Sequence, residues 1–110
     1  MNNILFFGTY QHKIDSKGRV SIPAEWRKHL IENKAYYYIF NQLLKCRISI
    51  ESIKDGYSKS DYDFKTEMLP KITQLNLDTE GRIILKTEKG KVAIMKGCGD
   101  YFTIEFKVDN

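Results

Sequence analysis

Two five-residue motifs in the sequence place a carboxylate, a glycine and an arginine at the same spacing. They run from Asp15 to Arg19 (DSKGR) and from Asp78 to Arg82 (DTEGR). An aspartate that starts a turn can accept a backbone hydrogen bond from two residues on, and glycine takes the positive φ that closes a G1-bulge hairpin. The arginine of each motif could bind phosphate in a bidentate way or pair with its own aspartate. We therefore expect structural roles in these turns for Asp15, Gly18, Asp78 and Gly81.

The residues around the first motif predict a strand on each side of it and a helix afterwards. Tyr10 to Ile14 alternates apolar and polar residues with the period of a half-buried strand, and Arg19 to Ile22 forms the return strand. Pro23 ends this strand and suits the first position of a helix to about Asn33, with Trp26 and Leu30 on one face.

The sequence repeats this arrangement. Lys71 to Leu85 matches the first motif and its arms at an offset of 63 residues, and Tyr37 to Glu51 aligns with Lys91 to Glu105 at an offset of 54. The second unit would then be 63 − 54 = 9 residues shorter, and the missing residues would lie where the first unit has its helix. Two hairpins that each have little to bury should pack on one another.

These patterns predict a mainly β fold with one or two short helices in a single domain. The domain would consist of two half-units, residues 1–51 and 71–110, joined by a connector over residues 52–70. The tyrosine-rich run from Ala35 to Phe40 reads as a buried strand, and Cys46 to Glu51 reads as the returning strand after a turn at Gln42 to Lys45. Ser52 to Ser60 reads as a polar loop, and Ser60 to Leu69 as a short helix with Ser60 as its cap.

The composition excludes several classes of protein. The chain has no apolar run near the ~20 residues that cross a membrane. The opening Met1 to Phe7 lacks the basic start and cleavage site of a signal peptide, so we expect a cytoplasmic protein. Cys46 and Cys98 do not make a disulfide framework and should be reduced there.

Positive charge is concentrated in the first part of the chain. The formal net charge is +4, but residues 1–47 carry 8 basic and 3 acidic side chains, whereas residues 48–110 carry 10 basic and 11 acidic ones. A basic face attracts nucleic acid or another polyanion, and a solvated surface would give the same count.

The segment from Phe7 to Leu30 resembles the MraZ family of bacterial transcriptional regulators. The matching positions are Gly8, Tyr10, His12, Ile14, Asp15, Lys17, Gly18, Arg19, Pro23, Trp26 and Arg27. The resemblance implies an AbrB-like fold in which the hairpins interleave as a double-ψ or swapped-hairpin barrel. It also implies a ring of subunits and DNA binding near the promoter of the cell-division and cell-wall gene cluster. The chain departs from the family in its short connector, in Lys86 in place of a proline, and in Glu80 at the position equivalent to Lys17.

The expected function is therefore sequence-specific DNA binding by a homo-oligomer associated with the nucleoid. The expected partners are double-stranded DNA and other copies of the chain, with no membrane, cofactor, metal ion or small-molecule substrate. The basic residues of the hairpins and of the helix that follows are the candidates for DNA contact: Lys13, Lys17, Arg19, Arg27, Lys28 and Arg82.

Two other classes of function fit parts of the sequence. The repeated aspartates invite a carboxylate-pair or metal-dependent nuclease, and His12, His29, Cys46 and Cys98 could in principle bind zinc. Neither set has an acidic cluster or a zinc-ligand spacing to support it, so we do not expect an enzyme. An antitoxin-like or assembly module of the same fold remains the alternative, and it predicts a stable protein partner without salt-dependent DNA binding.

Overall fold

Strands dominate residues 4–109, the part of the chain that the computed structural model describes. The fold is mainly β with few short helices, as the sequence predicts. Met1 to Asn3 of the opening segment lie outside the described residues. The helices are α1 (Ala24–Glu32), α2 (Ile50–Asp55) and α3 (Asp61–Asp63). The strands are β1 (Thr9–Lys13), β2 (Arg19–Ser21), β3 (Ala35–Phe40), β4 (Leu43–Ile48), β5 (Thr73–Leu75), β6 (Arg82–Ile84), β7 (Val92–Gly97) and β8 (Tyr101–Lys107).

The two half-units exchange strands. A six-stranded antiparallel sheet has the order β1-β7-β8-β4-β3-β5, and β2 pairs with β6 in a separate two-stranded sheet. The arms of each DxxGR hairpin therefore do not pair with each other. Instead β1 pairs with β7 of the second unit, and β5 pairs with β3 of the first. The hairpins interleave, as in the AbrB-like fold.

The turn between β3 and β4 lies earlier than the sequence predicts. Asn41 and Gln42 have φ values of 51° and 62°, which are the positive values of a two-residue type I′ turn. The strand β4 therefore begins at Leu43, and the prediction of a turn at Gln42 to Lys45 is wrong. An Asn-Gln pair without glycine gives a weak turn signal, and this explains the error.

The strand register also corrects the second repeat offset. Ala35 pairs with Ile48 in the first unit, and Ala93 pairs with Phe106 in the second. The structural offset is thus 93 − 35 = 58 rather than 54, and the second unit is 63 − 58 = 5 residues shorter rather than 9. The sequence match at Ile48 to Glu51 was misleading because its last two residues belong to α2 and not to a strand.

The helix α1 covers one end of the core and has no counterpart in the second unit. It buries Trp26, whose indole lies 5.6 Å from the Phe6 ring and 4.8 Å from the Phe102 ring between centroids. Phe6 itself is fully buried, so the apolar lead-in packs as an arm. Residues 86–90, which follow β6, form turns where α1 follows β2.

The connector contains more helix than the sequence predicts. The prediction of a strand and then a loop is wrong at α2, which the Ser49 hydroxyl caps by accepting a hydrogen bond from the Ser52 amide. The predicted helix at Ser60 is present, since the Ser60 hydroxyl accepts from the Asp63 amide. It continues through a π-helical turn, Phe64–Met68, and a 3-10 turn, Leu69–Lys71, to reach β5.

The two cysteines are both free. Cys46 is buried in the core, where desolvation raises the pKa of its thiol far above the usual value, and Cys98 is exposed. Within residues 4–109, no helix is long and apolar enough to cross a membrane.

Candidate nucleic-acid interface

The first DxxGR turn, residues 15–19, is organised by its aspartate. One carboxylate oxygen of Asp15 accepts from the Lys17 and Arg19 amides at 2.9 and 2.8 Å, and the other accepts from Arg19 Nε at 2.7 Å. These donors, the Arg19 amide above all, stabilise the charged carboxylate and lower the pKa of Asp15 from 3.8 to about 2. Gly18 has a φ of 81°, which closes the turn.

The second DxxGR turn, residues 78–82, repeats this frame. Asp78 accepts from the Glu80 and Arg82 amides and from Arg82 Nε, each at 2.9 Å, and its pKa is lowered chiefly by the Arg82 amide. Gly81 has a φ of 76°. The outer face differs, because Arg82 also lies 3.4 Å from the Glu80 carboxylate. The second arginine therefore has two acidic neighbours within its own turn.

Each turn is held by the segment that follows the return strand of the other unit. The Gly18 carbonyl accepts from the Leu85 amide at 2.6 Å, and the Gly81 carbonyl accepts from the Ile22 amide at 3.0 Å. A Cβ on Gly18 would lie 2.9 Å from the Leu85 carbonyl oxygen. The two turns are thereby fixed by the interleaved architecture and not by their own arms alone.

Three of the predicted basic residues lie together on or beside the first turn. Arg19 has 31% of its side chain exposed, Lys17 is exposed in the turn, and Lys13 is exposed just before it. Lys13 pairs with Asp109 at 3.2 Å, across an exposed contact that contributes little to stability. Lys13, Lys17 and Arg19 thus lie within seven consecutive residues, on the first turn or just before it.

The other predicted basic residues lie elsewhere. Arg27 packs over Gly81, where an added Cβ would collide with the guanidinium, and Arg27 Nε donates to the Ile22 carbonyl at 2.7 Å. It therefore lies against the second turn and helps to hold it. Lys28 is exposed on α1. Arg82 donates from its Nε to the Asp78 carboxylate and so helps to hold the second turn.

Two lysines that the sequence analysis does not count among the basic candidates, Lys86 and Lys89, lie in the turns that replace a second helix. Both are exposed, and the backbone of this segment touches Gly18. The shortening of the second unit was the available signal, but only the fold shows which surface the shortened segment meets.

The candidates for other chemistry do not come together. No group of three or more His, Cys, Asp and Glu side chains among the described residues could hold a metal ion.

Lys45 and Arg47 stack on the Tyr101 ring at 4.9 and 4.2 Å from its centroid, and Arg47 also pairs with Asp100 at 3.1 Å. Arg47 thus packs within the structure and is only 14% exposed.

The interleaved hairpins and few short helices place the chain in the AbrB-like class of small β proteins. Residues 5–44 match the MraZ family, described as "MraZ protein, putative antitoxin-like". The chain is 39% identical over 107 residues to a protein named Transcriptional regulator MraZ from Pelagibacter ubique. The alignment covers 84% of this chain and 68% of that protein. The chain therefore belongs to the MraZ family.

Other relatives carry the same name. Those from Chlorobium phaeobacteroides and Rickettsia rickettsii are 34% identical over 97 residues and 37% identical over 94 residues. The alignments cover 73% and 74% of this chain, and 65% and 63% of the two relatives. The chain thus spans about two thirds of the length of the relatives it matches. All three relatives are named transcriptional regulators, and the family is therefore one of transcriptional regulators.

Proposed function

We propose that this chain is a DNA-binding transcriptional regulator of the MraZ type that acts in the cytoplasm, on the nucleoid. The observation that carries the proposal is that Lys17 and Arg19 lie on a turn fixed by Asp15, with Lys13 two residues before it. A pre-formed cationic turn pays little ordering entropy when it meets phosphates. Arg19 can use the guanidinium nitrogens that do not bind Asp15, and the lysines can act as point charges.

Self-association would add affinity through multivalency. The tip of the β3–β4 hairpin exposes three large apolar side chains, with Ile39, Phe40 and Leu43 exposed by 37%, 62% and 39%. On the outer side of β3, the pairing with β5 ends at Tyr37, so the backbone beyond it has no strand partner there within residues 4–109. An apolar tip beside a free strand edge suits contact with a second copy. Several weak turns on one assembly would then bind neighbouring sites together.

The test is the salt dependence of binding to the DNA upstream of the chain's own gene. We expect the anisotropy of labelled duplex to report binding that weakens steeply with salt, with a log–log slope of about 0.9 per phosphate contact. Arg19→Gln should lower this slope by about 1. Arg82→Gln is the matched comparison, since it removes the same bonds within a turn that has an acidic outer face, and we expect it to lower the slope by less.

A flat salt response, or full binding by Arg19→Gln, would contradict the proposal. The same sample can test assembly, because light scattering should give a mass of several chains. Phe40→Ser should lower that mass while leaving the first turn intact, since Phe40 lies at the hairpin tip.

An antitoxin-like interaction module is the second candidate, and the family's description as antitoxin-like favours it. Here the apolar hairpin tip would bind a different protein. Co-purification of a stable partner encoded beside this gene, together with no salt-dependent DNA shift, would support this candidate over the first.

A further inference from the structure

The segment that replaces the second helix lies directly against the first DxxGR turn. At its near end the Leu85 amide donates to the Gly18 carbonyl at 2.6 Å. The Lys86 Cα lies 3.3 Å from the place that a Cβ on Gly18 would occupy. Because Gly18 stands between Lys17 and Arg19, the Lys86 backbone is in contact with the candidate site.

The far end of the segment is pinned as firmly. The Gly90 amide donates to the Ile14 carbonyl at 3.0 Å, and the Ile14 amide donates to the Lys91 carbonyl at 2.8 Å. Ile14 is the residue between Lys13 and Asp15. Residues 86–90 are therefore fastened at both ends to the stretch 14–18.

Charges on this segment are sorted between its inner and outer sides. Glu88 is 8% exposed, and its Oε2 lies 2.8 Å from Lys91 Nζ in an ion pair that lacks hydrogen-bond geometry. Lys86 and Lys89 are exposed and form no salt bridge with any residue between 4 and 109. The acidic side chain is thus compensated by Lys91, the residue just after the segment, and the two lysines are left facing solvent.

The added lysines change the charge of the site. Lys17 and Arg19 against Asp15 leave one net positive charge, and Lys86 and Lys89 raise this to three. In the second turn, Arg82 against Asp78 and Glu80 leaves one net negative charge, and Arg27 over Gly81 only cancels it. Phosphate contacts dominate the affinity of proteins for duplex DNA, so this difference matters for binding.

We propose that residues 86–90 form the second half of the DNA-contacting surface, where Lys86 and Lys89 bind phosphates beside those bound by Lys17 and Arg19. The inference rests on the proposed function and deepens it. On this inference the shortening of the second unit serves DNA binding, because the turn that replaces a helix brings two lysines to the first hairpin.

The experiment compares two double variants that remove equal charge. Lys86→Gln with Lys89→Gln removes the proposed contacts. Lys71→Gln with Lys96→Gln is the control, because both residues are exposed and lie outside the turns. Lys71 ends the 3-10 turn that leads into β5, and Lys96 lies at the end of β7 that pairs with Thr9 and not with Lys13. Anisotropy of labelled duplex DNA is measured for each over a range of salt, and circular dichroism checks that both melt like the unmodified chain.

We expect the first pair to lower the slope of log affinity against log salt by about 2, and the control to change it little. Lys86→Arg with Lys89→Arg should restore the slope, since only charge is required. Equal slopes for the unmodified chain and the first pair, with binding still sensitive to Arg19→Gln, would overturn this inference alone. Absence of salt-dependent binding by the unmodified chain would overturn the proposed function as well.

Discussion

The two DxxGR turns share an internal frame but have different surroundings. In both, an aspartate accepts two amides and an arginine Nε, and the glycine carbonyl is bound by the other unit. The first turn carries Lys17 and meets the lysine-bearing segment 86–90, whereas the second carries Glu80 and meets Arg27. The comparison teaches that the motif fixes the shape of the turn. The surface charge is set by the residue before the glycine, Lys17 or Glu80, and by the segment that packs against the turn.

The largest expected difference concerns the helix that only one unit has. Trp26→Ala should lower the free energy of unfolding by about 3–5 kcal/mol, because it empties a large site between Phe6, Tyr10 and Phe102. Lys89→Ala, at the equivalent position 63 residues later, should change it by no more than about 0.5 kcal/mol. Urea denaturation measures both. Similar costs would mean that residues 86–90 carry as much packing as α1.

The two glycines should differ next. Alanine at either position adopts a left-handed conformation that costs about 1–2 kcal/mol. At Gly18 the new Cβ also meets the Leu85 carbonyl, which is backbone, whereas at Gly81 it meets the flexible Arg27 side chain. We expect Gly18→Ala to lower the urea midpoint more than Gly81→Ala does. The reverse order would show that the Arg27 contact, and not the backbone contact, is the rigid one.

A single charge reversal should make the second turn resemble the first. Glu80→Lys removes an acidic neighbour of Arg82 and gives the second turn the lysine that the first turn has at the equivalent position 17. We expect the salt slope of DNA binding to rise by about 1, and the reciprocal Lys17→Glu to lower it by at least as much. If Glu80→Lys leaves the slope unchanged, the second turn does not reach DNA in the complex.

The smallest predicted effect is shared by both turns and depends on pH. The pKa of Asp15 is lowered from 3.8 to about 2, and that of Asp78 is also lowered, by hydrogen bonds present only in the folded chain. A lowered carboxyl pKa stabilises the fold above pH 3.8, and this contribution is lost as the pH falls toward about 2. Urea midpoints measured down that range should fall less for Asp15→Asn and Asp78→Asn than for the unmodified chain. An identical fall would assign the acid sensitivity to other groups.

The repeated motif, the helix after β2 and the strand β3 could be predicted from the sequence because each has a local cause. Asp15 and Gly18 specify their turn, Pro23 starts the helix, and the tyrosine-rich run from Ala35 to Phe40 specifies β3 over the residues observed. The resemblance of Phe7 to Leu30 to MraZ is confirmed by the family match over residues 5–44.

What could not be predicted depends on pairing between distant residues. The register of β3 on β4 fixes the offset of 58, and no local pattern separates it from the offset of 54 given by a chance match at Ile48 to Glu51. The separation of the predicted basic residues between the first turn and the rest of the surface also depends on contacts between distant residues. Arg27 contacts Gly81, which lies 54 residues later in the chain, and nothing in the sequence around Arg27 indicates this contact.

The exchange of strands has a consequence for the order of synthesis. The strand β1 pairs with β7, so Thr9 leaves the ribosome 87 residues before its partner Lys96. At about 5–20 residues per second, the first strand waits several seconds without its neighbour. The nascent chain therefore carries β1 as an unpaired strand until β7 has been synthesised.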